Sequence, residues 1–196
     1  MTVRSPLTKA KLSPNQLEKQ RQIIEAARVV LARDGLAACT TRAVEEAGPL
    51  AKSAIHYYFS DMDELVDQAM AQHLQAFMDR LRAAAAAHED PSRRFWAAVE
   101  EFLGIFAQMP STALLWFDYW IDATRKGRVE PIDRLNREVT AIYEELLAAV
   151  PVPEPQLHAE ALFSCLLGLI VRQTVQGPID ALRPLISQIC AVDVPS

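Results

Sequence analysis

Apolar residues along most of this chain recur at intervals of three and four, the spacing of one face of a helix. Ser13-Pro14 reads as a helix start, with proline at the first helical position. Leu17, Ile23, Ile24, Ala27, Val30 and Leu31 give this helix an inward face to about Asp34, and Gly35 stops it. A second long helix begins at Ser60-Asp61, where Asp61 and Glu64 resemble a capping box. It carries Val66, Met70, Phe77 and Leu81 at helical spacing and ends in the helix-forming run Ala83 to Ala87. Roughly 26 residues at ~1.5 Å each make a rod of about 39 Å. Such a rod suits either a carrier of motion or a long amphipathic core helix.

Asp90-Pro91 opens an aromatic helix with Phe95, Trp96, Phe102 and Phe106, which Pro110 breaks. The stretch LLWFDYWIDATRK follows. In VEPIDRLNREVTAIYEELLAAV, the residues Ile132, Leu135, Val139, Ile142 and Leu146 step by 3, 4, 3 and 4, a coiled-coil-like seam. PVPEP is a rigid linker, since its three prolines forbid helix. AEALFSCLLGLIVRQTVQG is apolar nearly all round and predicts a buried helix. Its small residues Ala161, Cys165 and Gly168 form a stripe that permits close helix approach. A short amphipathic helix, Ile179 to Cys190, closes the chain. The expected class is all-α.

Thr40–Phe59, TTRAVEEAGPLAKSAIHYYF, stands apart as two short helices joined by a turn. Thr40 or Thr41 caps the first, because a threonine oxygen accepts orphan N–H groups of a first turn. Val44 faces inward, and Glu45 and Glu46 stay wet. Gly48-Pro49 ends that helix, the glycine expected as a left-handed cap and the proline unable to continue. The second helix, Ala51 to Tyr58, leads with Lys52 and Ser53 and ends in Tyr57, Tyr58 and Phe59. This is either a packing hairpin or a unit that places its second helix in a DNA major groove.

The stretch resembles the TetR family of transcriptional regulators, whose pattern is roughly T-T-x-x-I-A-x-x-A-G-V-S-x-x-x-[IL]-Y-x-[HY]-F. Thr40, Thr41 and Arg42 fall on the family's threonines and next residue, Val44 on its Ile, Ile55 on its [IL], and Tyr58-Phe59 on its closing pair. The preceding helix and the following SDMDEL resemble the family's flanking helices. The chain also departs from the pattern. Glu45 stands for Ala, Gly48-Pro49 for Ala-Gly, Ala51 for the Ser cap, His56 for Tyr, and Met62 for a frequent phosphate-binding Lys. Loss of the Ser cap costs about 1 kcal/mol if nothing replaces it. Further on, LLWFDYWIDATRKG, LNREVTAIYEELL and LFSCLLGLIVR resemble the choline-responsive BetI-like group of the same family.

Charge changes the picture less than its total suggests. The net charge is −5, but residues 1–60 hold nine Lys/Arg against five Asp/Glu, net +4. The remainder holds 11 against 20, net −9. A basic end on an acidic body fits one end meeting phosphates. No run of 18 apolar residues predicts a membrane span, and the lack of a signal-like apolar start predicts a cytoplasmic protein. Cys39, Cys165 and Cys190 show no C-x-x-C spacing and read as reduced, packed thiols, with a redox switch as the alternative. The histidines show no ligand spacing, so neither metal nor cofactor is expected.

The expected organisation is a flexible basic arm over 1–13, a three-helix helix-turn-helix DNA-binding domain over 14–60, a helical ligand-binding and dimerisation domain over 61–192, and a tail over 193–196. The resemblance implies a sequence-specific DNA-binding regulator, a repressor released from a near-palindromic operator by a small-molecule effector. The candidate DNA-binding residues are Thr40, Thr41, Arg42, Ala51, Lys52, Ser53, Ala54, His56, Tyr57 and Tyr58. The candidate ligand-binding residues are Phe102, Phe106, Trp116, Phe117, Asp118, Trp120, Asp122 and Tyr143. Such aromatics either fill a core or line a box for a flat apolar or cationic ligand. The candidate homodimer interface is the seam Ile132, Leu135, Val139, Ile142 and Leu146 with Ala161, Cys165 and Gly168, since the last two long helices form the dimer in TetR-like proteins. The competing readings are an enzyme or a helical protein-interaction module. No nucleophile–base motif, phosphate-binding Gly loop or metal cluster supports the enzyme.

Overall fold

Caps and prolines divide the chain into helices close to where the sequence places them. The computed structural model describes residues 13–172 and 179–194. Among these, the order is α1 (Pro14–Asp34), α2 (Thr41–Ala47), α3 (Lys52–Tyr58), α4 (Met62–Ala86), α5 (Pro91–Gln108), α6 (Pro110–Arg125), α7 (Val129–Ala148), α8 (Pro155–Val171), a 3-10 turn (Ile179–Ala181) and α9 (Arg183–Cys190). No strand occurs among the described residues, and the fold is all-α. The expected basic arm lies outside the described residues, apart from Ser13.

The chain divides into two compact units, Met1–Met70 and Ala71–Ser196, and the division falls within α4. This is ten residues later than the boundary expected at 60/61. In the first unit, Ser13 and Gln16 complete a capping box at the start of α1. Gly35 ends that helix at φ 83°, a left-handed conformation that favours glycine. Ile23, Ala26, Ala27, Val30 and Leu31 are the buried face of α1. Leu17, expected on that face, is 52% exposed, because burial on α1 begins only at Ile23. α1 packs on α2, and α2 on α3. At the start of α4, the Glu64 N–H donates to Asp61 Oδ1 (2.8 Å). The reciprocal bond runs from the Ser60 N–H to Glu64 Oε2 (2.9 Å), so the box spans one residue more than expected.

The second unit has a large apolar core, with Phe95, Trp96, Val99, Phe102 and Leu103 of α5 all buried. The α7 seam requires a correction. Ile132, Leu135, Val139, Ile142 and Leu146 are buried inside the single chain, each 7% exposed or less. α7 packs on α8 and α5 within the chain. Its 3-4 stripe therefore serves the intramolecular core and offers no surface to a second copy. α8 is also less enclosed than predicted. Ala159, Leu162, Phe163 and Leu166 face inward, but Leu157, Ala161, Ser164, Gly168 and Val171 are exposed along one stripe, with Cys165 half-buried beside it. Its Gln173–Gly177 extension lies outside the described residues.

The segment from Arg183 to Asp193 is anchored to α5 and α8. The Trp96 indole N–H donates to the Asp193 carbonyl (2.9 Å), the Arg183 guanidinium pairs with Glu100 (2.6 Å), and His158 Nδ1 meets the Ile189 carbonyl (2.6 Å). Asp193, expected in a loose tail, is therefore held by its backbone.

The three cysteines are free thiols. Burial pushes the Cys39 thiol from 9.0 up to about 11, and burial with Cys165 nearby pushes Cys190 up to about 12. The fold favours the neutral thiols, so this contribution to stability is intact below pH 9.0 and is lost as pH rises toward those values. In native protein at pH 8, Cys39 and Cys190 should react with a thiol reagent far more slowly than in denatured protein. Mass spectrometry of labelled peptides checks this, and equal rates in both states would contradict it.

Candidate nucleic-acid interface

Thr40, not Thr41, caps α2: its hydroxyl accepts from the Ala43 N–H (3.2 Å). Val44 is the buried residue of this helix. Gly48 ends it, but not as a left-handed cap. Its φ of −120° and ψ of 169° are extended, open to any residue. What demands glycine is space, since a Cβ there would sit 2.9 Å from the Ala26 Cβ on α1. The absence of a side chain at Gly48 lets α2 close against α1.

α3 is held from below by Ile55 and Phe59, four residues apart and both buried. This leaves Lys52, Ser53, His56 and Tyr57 exposed as one row, at i, i+1, i+4 and i+5. Ala51 is exposed ahead of them, and Ala54 and Tyr58 are half-buried. Tyr57 is 68% exposed, with its ring edge-on to Tyr58 at 4.9 Å between centroids. Gln16 Nε2 of α1 donates to the Tyr57 hydroxyl (3.2 Å).

At the other end of α3, Ala51 makes no side-chain cap. The Lys52 N–H instead donates to Glu45 Oε1 of α2 (3.1 Å). Sequence reasoning missed both tethers. Glu45 lies seven residues from its donor and Gln16 lies 41 residues from Tyr57, so no local period links them. Of the remaining candidates, Thr40 is exposed, Thr41 is half-buried, and Arg42 is exposed and paired with Glu46 (2.8 Å). That hydrogen bond and charge raise Arg42 and hold it cationic.

The body candidates separate into two groups. Phe106 and Tyr143 come together with Phe77 around Phe102, which lies 5.4 Å from Phe77, 5.0 Å from Phe106 and 6.4 Å from Tyr143, centroid to centroid. Tyr143 is fully buried, and burial pushes its phenol well above the usual range. Its hydroxyl has no hydrogen-bond partner among the described residues. On α6 the helical period puts Leu115, Tyr119 and Ala123 inside, with Trp116 and Phe117 half-buried beside them. Trp116 lies tilted against Tyr119 at 6.2 Å. Asp118 is exposed, and Trp120 is 45% exposed. Asp122 pairs with Lys126 (3.0 Å) and Arg128 (3.1 Å), which neutralise its charge locally.

Residues 23–69 match the family described as bacterial regulatory proteins, tetR family. Residues 90–192, more than half the chain, match the tetracyclin repressor-like C-terminal domain. The chain belongs to the TetR family. An HTH-type transcriptional regulator BetI of Stenotrophomonas maltophilia (strain R551-3) is 26% identical over 165 residues, covering 81% of this chain and 83% of that protein. Among solved structures, a TetR transcription regulator from Haloarcula marismortui ATCC 43049 superposes with a TM-score of 0.72 at 16% identity, over 89% of this chain and 97% of that one. The multidrug binding protein EbrR, complexed with imidazole, gives 0.65 at 22% identity, over 91% and 97%. The exposed row on α3 is thus the second helix of a TetR-family helix-turn-helix. The matching families and relatives are transcriptional regulators rather than enzymes.

In this TetR-family chain, Gly48→Ala should destabilise the first unit by about 1–3 kcal/mol, because the added methyl overpacks against Ala26. Thermal denaturation of Gly48→Ala alone and with Ala26→Gly provides the check. Recovery in the double variant is expected, and an unchanged melting temperature in the single variant would refute the close-approach account.

Proposed function

We propose that this protein is a homodimeric repressor that leaves a near-palindromic operator when a small molecule binds its helical body. The observation that carries the reading is the solvent-facing row Lys52, Ser53, His56 and Tyr57 on a helix anchored by Ile55 and Phe59. Lys52 and Ser53 meet base edges or the adjacent backbone. Arg42 reaches a guanine edge or a phosphate, and Thr41, Tyr57 and Tyr58 meet phosphates. The Tyr57 hydroxyl accepts from Gln16, which leaves its own proton to donate to a phosphate oxygen. Two such helices in a dimer, about 34 Å apart, meet successive major grooves. The setting is cytoplasmic, and no described helix is long and apolar enough to cross a membrane.

For the dimer, the surface that supports the reading is the outer stripe of α8: Leu157, Ala161, Ser164, Gly168 and Val171. For the effector, the support is the aromatic group Phe77, Phe102, Phe106 and Tyr143, whose faces suit a flat apolar or cationic molecule. The unpartnered Tyr143 hydroxyl adds one buried polar group to it. EbrR, described as a multidrug binding protein, shares this fold. Swinging the population from about 1:99 to about 99:1 requires roughly 10⁴-fold preference of the effector for the released state.

Selection of duplexes from a random pool, followed by gel shift, tests the reading. Lys52→Ala should weaken the selected duplex about tenfold and relax base preference. Unchanged affinity and preference would remove Lys52 from the interface. Affinity should also fall linearly with salt on a log–log scale, through counterion release; salt-independent binding would count against the phosphate contacts. Gly168→Glu should yield a folded monomer by light scattering, since a side chain there meets nothing within 4 Å in its own chain. An intact Gly168→Glu dimer would move the interface off α8.

A further inference from the structure

We propose that Glu45 is the positioning residue of the DNA-reading helix: carried on α2, its carboxylate caps α3 in place of a side chain at Ala51. The inference rests on the DNA-reading role of α3 and adds to it what fixes that helix in register.

The physical need is plain. α3 has seven residues, and isolated helices below about 12–15 residues are marginal in water. The first N–H groups of any helix lack partners within it. In α3 the Ala54 N–H turns back to the Ala51 carbonyl (2.9 Å), and Ala51 has no side-chain acceptor. The Lys52 N–H goes to Glu45 Oε1 at 3.1 Å. A carboxylate there also faces the positive end of the helix dipole.

An ordinary cap would sit at Ala51 and stabilise α3 alone. This acceptor sits on another helix, so it also ties the start of α3 to α2. The bonded N–H belongs to Lys52, the first residue of the exposed row. Any swing of this end therefore displaces Lys52 and Ser53 relative to α2. Two departures from the family pattern then become one change. Glu stands at 45 where the pattern has Ala, and Ala stands at 51 where it has Ser. The acceptor at the start of α3 now sits in the body of α2 and takes the Lys52 N–H, whereas a side chain at 51 would take an N–H one or two residues further on.

The test uses the full chain, a duplex selected by wild-type protein from a random pool, and a scrambled duplex of equal length. Removing a negative charge near DNA strengthens non-specific binding, so the readout is the ratio of the two affinities at one salt concentration. Glu45→Ala should lower that ratio about fivefold, the equivalent of losing a typical cap. Glu45→Gln, which keeps an acceptor oxygen but not the charge, should stay within about twofold of wild type. Ala51→Ser added to Glu45→Ala should restore the melting temperature but leave the ratio low, because a local cap stabilises α3 without tying it to α2. An unchanged ratio in Glu45→Ala would overturn the proposal. So would a double variant that recovers the ratio along with the melting temperature, since a local cap would then suffice. If Glu45→Ala alone melts early, Glu45→Gln and the double variant decide on the same criteria. A wild-type chain that selects no sequence would instead overturn the DNA-reading function, and the proposal with it.

Discussion

A seven-residue helix does not hold its shape in water, so everything that α3 presents depends on what grips it. Ile55 and Phe59 bury its underside. Glu45 takes its leading N–H, and Gln16 holds the Tyr57 hydroxyl near its other end. Each grip comes from a different part of the first unit, and Gln16 also completes the box that starts α1. The polar row Lys52, Ser53, His56 and Tyr57 faces solvent because Ile55 and Phe59 take the packing side of the helix. Rigidity beneath and polarity above are both required of a helix that must enter a groove in one register.

The second unit applies the same division to larger helices. α7 commits its whole 3-4 stripe to the core, and α8 commits one side only. What α8 leaves outside is small or apolar at Ala161, Gly168, Leu157 and Val171, a surface on which another helix can approach closely. The aromatic group around Phe102 has the opposite character. It is enclosed, and it contains a phenol whose hydroxyl lacks a partner among the described residues. A buried, unpaired hydroxyl costs about 1–3 kcal/mol.

Much of the local structure was legible because local rules are strong. Ser13-Pro14, Thr40, Asp61 and Asp90 start their helices as expected, and Gly35 ends α1 in the left-handed region. The Gly48-Pro49 break and the family motif located the reading helix. The errors share one origin. Leu17 was placed inside by its period, Gly48 was explained by backbone handedness, and the α7 stripe was assigned to a partner subunit. In each case the period or residue type was read correctly, but the neighbour against which it packs is not encoded nearby. The same limit placed Trp120 and Asp118 in one box with Phe102, although Phe102 is buried on α5 and the other two are exposed on α6.

By itself, then, the sequence determined the helices, their order, the helix-turn-helix and the family, because caps, prolines and apolar periods act within a few residues. Tertiary structure alone decided which face of α7 and α8 is spent inside the chain, why residue 48 must be glycine, and that Glu45 caps α3 across a turn. Those depend on separations such as the 2.9 Å that a Cβ added at position 48 would have from the Ala26 Cβ, or the 3.1 Å from Glu45 to Lys52. Such distances exist only once separate segments have packed, and no residue spacing along the chain encodes them.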